Sequence, residues 1–194
     1  MLGELRIQLG GVSRWWWLGL AGVTAVSLVV PSGGTGIVLL GVWLWPVLLW
    51  SKLGTHAVEY GVAALTGSGS SLRLRLAAES SVGAIITTLA GSGPLLRMLT
   101  AADGAGVAAW LVAVAFIPSL ALFLGSIGRS ERVFQAVYLV LWYAVLNGVT
   151  AADFMGARRG SGADVGPSPV IDLVVAVMLT AGALLVQETR HARR

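Results

Sequence analysis

Apolar residues in this chain gather into long runs rather than alternating with polar ones. Six runs follow one another, about Trp15 to Val30, Gly36 to Trp50, Leu76 to Leu99, Ala105 to Leu124, Val133 to Val149 and Val170 to Val186, with polar connections between them. Runs of this kind predict helices that are apolar all round, and the medium that suits several in series is lipid. The pattern therefore predicts an all-α integral membrane protein with six transmembrane helices. The first two runs are near the short limit for a crossing, so their flanks or a locally thinner bilayer must make up the difference.

The ends of the runs carry boundary signals. Trp15, Trp16 and Trp17 open the first where a headgroup layer would lie, and Pro31 closes it. Trp43, Trp45 and Trp50 stand toward the far end of the second. Glu79, several Ser and Thr, and Pro94 dilute the third. Pro118 lies inside the fourth, where it should kink the helix. Ser130 can cap the fifth, and Glu131 suits the positive end of its dipole. Residues 1–14 read as a retained interfacial lead-in rather than a signal peptide, since no small-residue cleavage site ends the first run. Residues 15–186 form the membrane domain and residues 187–194 a basic tail. The longest polar connection, Ser51 to Arg75, exceeds a bare turn and predicts a short helix near Thr55 to Leu65.

Charge supplies an orientation. If both termini are cytoplasmic, that side holds Arg6, Arg14, Lys52, Arg73, Arg75, Arg129, Arg132, Arg190, Arg193 and Arg194, and the outer side only Arg97, Arg158 and Arg159. Ten basic residues against three satisfy the positive-inside bias. The same placement explains the net charge of +4 without nucleic acid, because the basic residues fix topology. Hydrophobic residues make up 56% of the chain and charged ones 11%, which leaves little for a soluble catalytic domain. The bias toward Ala, Gly, Val and Arg points to a bacterial cytoplasmic membrane.

Signatures of catalysis are absent from the sequence. No P-loop occurs, so the chain does not grip a nucleotide by that means. There are no cysteines, and His56 and His191 lie apart in a connection and a tail without metal-ligand spacing. Gly91-Ser92-Gly93 has no membrane-embedded His beside it to act as a base. Glu79 stands one turn after Arg75 near the start of its run, which fits an ion pair at the cytoplasmic boundary or a proton or substrate path. Asp172 has the same standing at the outer start of the sixth run. Phe134, Tyr138 and Trp142 recur every fourth residue and lay an aromatic stripe along one helix face, for packing against another helix or lining a cargo path. Small residues four apart, Ala109 with Ala113 and Ala121 with Gly125, permit close helix contact.

The stretch Ala121-Leu122-Phe123-Leu124-Gly125-Ser126-Ile127-Gly128-Arg129-Ser130-Glu131-Arg132-Val133-Phe134, running on through Tyr138, Trp142-Tyr143 and Asn147 to Ala152-Asp153-Phe154-Met155-Gly156, resembles the closing part of ABC transporter permeases of the type-two exporter family. Trp50-Ser51-Lys52-Leu53-Gly54 followed by Glu59 is similar to the cytoplasmic segment after the second span in such proteins. The likeness covers about Trp50 to Gly156. Ala152 departs from the Leu expected before Asp153, and the chain is short beside larger relatives.

The resemblance implies a noncatalytic permease subunit of an exporter in the cell membrane. It implies six spans per half, a second permease chain as homo- or heterodimer, and separate ATPase subunits that hold ATP and Mg, with no cofactor on this chain. It makes Thr55 to Leu65 a cytoplasmic coupling helix between spans two and three. Lys52, Glu59 and Tyr60 become the first expected contacts with the ATPase, and Arg129, Glu131 and Arg132 the second. Asp153 and Phe154 become an outer-face element, as a re-entrant cap. Two readings from other classes compete with it: a nontransporting membrane scaffold, which needs the same spans and no ATPase, and an ion-coupled carrier with Glu79 in its path.

Overall fold

A computed structural model describes residues 13–30, 34–53, 69–128, 130–158 and 168–192, and no strand occurs among them. Helix α1 spans Arg14–Val29. It starts where the extended Ser13 accepts a hydrogen bond from Trp15 N, and stops at Val30, whose extended backbone is what a following Pro imposes. Helix α2, Thr35–Leu44, ends because Pro46 has no N–H to continue the ladder. A four-residue helix α3, Val47–Trp50, restarts on the Pro46 carbonyl, which accepts from Leu49 N at 2.9 Å and Trp50 N at 3.0 Å. The apolar run from Gly36 to Trp50 is thus two pieces, not the single span its composition predicts.

The third run is also divided. Helix α4 spans Gly69–Ala90 and α5 spans Ser92–Thr100, and the chain bends by 61° between them. Gly91 is the break. Its carbonyl accepts from Trp110 Nε1 at 3.0 Å, and a Cβ there would lie 2.5 Å from that nitrogen, so the indole packs directly on bare backbone. Helix α6, Gly104–Gly128, begins where Asp103 Oδ1 accepts from Gly106 N at 2.8 Å and continues unbroken through Pro118. Helix α7, Glu131–Leu146, has the expected Ser130 cap, with Arg132 N donating to Ser130 Oγ at 3.3 Å. It ends three residues earlier than the apolar run predicts, where Gly148 adopts φ 88°. A 3-10 turn at Thr150–Ala152 follows, and α8 spans Pro169–Ala192, six residues beyond the apolar run.

These boundaries bear on the count of crossings. Among the described residues two helices are long and apolar enough to cross a membrane, Gly104–Gly128 and Pro169–Arg190, or three if Leu76–Ala90 and Ser92–Thr100 act as one bent span. Sixteen residues, the length of α1 and of α7, rise about 24 Å against a hydrocarbon core of about 30 Å. Six full-length spans are not found among the described residues.

Packing centres on α6. Gly83 of α4 meets Pro118 while Gly91 meets Trp110, so α4 and α6 run antiparallel. Ser119 pairs with Thr180 and Ser126 with Gln187, so α6 and α8 run parallel. Arg190 completes that pair: its guanidinium donates to the Ser126 and Ile127 carbonyls, which the last turn of α6 cannot satisfy itself. On the far side, Arg97 Nη1 of α5 donates to the Ser27 carbonyl of α1 at 3.1 Å. Gly93 lies so close to Ser27 Oγ and the Thr24 carbonyl that only glycine fits.

Candidate functional site

The seam between the broken helix α2–α3 and helix α7 gathers most of the residues that sequence singled out. Four polar side chains on one face of α7 reach across it. Trp142 Nε1 donates to the Leu40 carbonyl at 2.9 Å, and Tyr138 OH to the Trp43 carbonyl at 2.8 Å. Gln135 Nε2 donates to Ser51 Oγ at 3.1 Å, and Ser51 Oγ to Glu131 Oε2 at 3.4 Å. Positions 131, 135, 138 and 142 are spaced four, three and four apart, so they share a face. Trp43 lies in the last turn of α2, where helical carbonyls run out of intrahelical donors, and the Tyr138 hydroxyl supplies one.

Between these bonds the seam is aromatic. Trp50 lies 6.1 Å from Trp43 and 5.6 Å from Tyr138, and Phe134 lies 5.3 Å from Tyr138. Tyr138 is also in edge contact with Phe154 at 5.7 Å, and Phe154 stacks on Phe116 of α6 at 5.1 Å. Trp43, Trp50, Phe134 and Tyr138 are fully buried. The indole N–H groups of Trp43 and Trp50 have no hydrogen-bond partner among the described residues.

Phe154 belongs to the connection after α7, and Asp153 shapes that connection. Its two carboxylate oxygens accept from Ala157 N at 2.9 Å and Arg158 N at 2.8 Å, tying the chain into a tight turn. Arg158 then donates to the Val145 and Leu146 carbonyls and caps the end of α7. Asp153, Phe154, Met155 and Ala157 are all buried. The segment turns inward and fills the space between α6 and α7.

Among the expected contacts at the other end, Lys52 follows α3 half-buried, Glu131 bonds to its neighbour Ser51, and Arg132 is exposed beside them. The predicted helix at Thr55 to Leu65, with Glu59 and Tyr60, and Arg129 lie outside the described residues. Glu79 lies near the start of the apolar stretch Leu76–Ala90. Helix α4 begins at Gly69, seven residues before the apolar run, so Glu79 sits mid-helix and is fully buried. Gly83, one turn further along α4, packs against Leu53 at the end of the α3 segment, and the side chain of Arg75 is outside the described ones.

Gln135 has no place among the residues the sequence singles out, and Trp50, Ser51 and Leu53 stand there only as a boundary Trp or within the permease-like segment, with no role of their own. Gln135 carried a usable signal, standing four residues after Glu131 and three before Tyr138 on the same face. Ser51 carried a signal only as a member of the permease-like segment, which gives no hint of its bonds across to α7. Among the described residues no group of three or more His, Asp or Glu converges as a metal site. The chain matches no protein-family model, no curated protein and no solved structure.

Proposed function

We propose that this chain is the membrane-domain subunit of an ABC-type exporter, in which a separate subunit binds ATP and Mg and hydrolyses the nucleotide. The observation that supports this most directly is the bonding of Ser51 to Glu131 and Gln135. It brings the connection after α3 against the connection before α7, and these are the two segments whose resemblance to permeases implies ATPase contact. A partner pressing on one segment would bear on both. In this reading the chain crosses the membrane six times with short and broken helices among the crossings. Both termini and the 54–68 connection then face the cytoplasm, in keeping with the ten-to-three distribution of basic residues. A second permease chain, identical or related, would complete the cargo route. Asp153 and Phe154 then belong to the outer face, where they close the end of the bundle opposite the ATPase.

The test is purification of the tagged chain from its native membrane in mild detergent, with mass spectrometry of what remains bound. A stoichiometric P-loop ATPase is expected, and Glu59→Ala with Tyr60→Ala should lower its retention at least about tenfold, equivalent to about 1.4 kcal/mol of contact, while insertion is unchanged. Absence of any ATPase under conditions that preserve a known transporter complex overturns the reading.

A further inference from the structure

We infer that Leu53 is a wedge that couples the α3 segment to the Pro118 point of α6, so that movement of the Val47 to Leu53 stretch swings the second half of α6. Three elements meet at this place. Leu53, just past α3, is fully buried. It occupies the notch left by Gly83 of α4, and a Cβ on Gly83 would lie 2.8 Å from Leu53 Cδ1 and 2.8 Å from Pro118 Cβ. No methyl group fits between them, so a displaced Leu53 has to push on Pro118, on α4, or on both.

The two prolines decide where such a push is felt. Pro46 already separates α2 from α3, so the Val47 to Leu53 stretch is not held by a continuous helix. The rest of α2 is held independently, since Trp142 and Tyr138 donate to its Leu40 and Trp43 carbonyls. Pro118 has no N–H for the Val114 carbonyl, which makes it the place where α6 bends most readily. Beyond Pro118, α6 carries α8 with it through the Ser119–Thr180 and Ser126–Gln187 bonds and the Arg190 contacts. The moving body is therefore α3, the second half of α6 and the second half of α8.

The permease reading enters only in what would drive this movement; the linkage itself belongs to the chain. Because the chain contains no cysteine, spin labels can be placed singly at Leu18→Cys on α1 and Ile127→Cys at the end of α6, both exposed. Their separation is measured by pulsed electron-spin resonance on the full chain in lipid nanodiscs. Gly83→Ala should shift the distance by about 3–5 Å, the swing of a nine-residue arm through about 20°. Adding Leu53→Ala relieves the clash on one side and leaves the one with Pro118, so it should reduce the shift without abolishing it, and Pro118→Ala should abolish the shift. An unchanged distance in Gly83→Ala, or a shift of undiminished size in the double variant, overturns the inference. If Gly83→Ala does not fold, Leu53→Ala alone decides. It should shift the distance with Pro118 present and not in Pro118→Ala, and no shift, or one that survives Pro118→Ala, overturns the inference. Failure to find an ATPase partner leaves this result untouched, so the two readings fail separately.

Discussion

Helices α6 and α8 are equals by length and apolarity, yet 61% of the apolar window of α6 is buried inside the molecule against 11% of that of α8. Lipid and a protein interior demand the same apolar composition, so composition cannot tell a central helix from a peripheral one. Spacing can. Inward positions on α8 form a single narrow stripe, Ala176, Thr180, Ala183, Gln187 and Arg190, at alternating intervals of four and three. Small residues there let α8 lie close to α6, and a Cβ on Gly182 would come within 2.7 Å of the Phe123 ring. On α6 the stretch Phe116 to Leu122 is buried without a break, so residues on every side of the helix are covered there.

The largest effect expected from this contrast is at Trp110. It is almost fully buried and its indole N–H satisfies the Gly91 carbonyl at the α4–α5 break. Trp110→Ala should cost about 3–5 kcal/mol in unfolding measured in mixed micelles. Val174→Ala, on the exposed face of α8, should stay within about 0.5 kcal/mol. Equal effects at the two sites would break the distinction between centre and periphery.

A charge on the bare face of α8 sharpens the comparison differently, by asking what that face touches. Val177 lies near the middle of the helix and is 62% exposed. If the face meets lipid, Val177→Arg should cost about 2.5–3.5 kcal/mol in a membrane-insertion assay. Insertion as efficient as that of the unaltered chain would mean that the face is covered by water or protein instead.

The same logic explains what the sequence could and could not disclose. The six apolar runs announce helices, and Ser130 and Pro31 mark two of their ends correctly, because caps and helix breaks are local chemistry. Runs two and three were read as single helices, although Pro46 and the Gly91–Pro94 neighbourhood stood in plain view. Whether such residues end a helix or merely sit in it depends on neighbours distant in sequence. Pro118 shows the opposite outcome, for α6 passes through it intact while packed on all sides. Tyr138 and Trp142 were legible as a stripe, but their partners were not: they bond to backbone carbonyls of α2, which every residue possesses and no motif betrays. Asp153 and Phe154 were noticed only through resemblance. Burial of Phe154 between Phe116 and Tyr138 depends on a turn held by two backbone N–H groups, which composition does not encode.

The finest test of the comparison lies where the two helices touch. Thr180 Oγ1 donates across the interface to Ser119 Oγ at 2.9 Å, sharing its one proton with the Ala176 carbonyl one turn back, while Ser119 Oγ donates to the Ala115 carbonyl at 2.7 Å. Thr180→Val keeps the shape of the side chain and removes only that shared proton, since Ser119 retains its own carbonyl partner. Interhelical hydrogen bonds within membranes average about 0.6 kcal/mol, because the separated helices also satisfy their hydroxyls internally. A loss near that value is expected for Thr180→Val in mixed micelles, with Ser119→Ala giving the same loss and the double variant no more. A cost well above about 1.7 kcal/mol would exceed what one such bond supplies. It would mean that the α6–α8 pair depends on its polar rungs more than on the Ala176 and Ala183 packing beside them, and that α8 is held as firmly as the central helix despite its exposure.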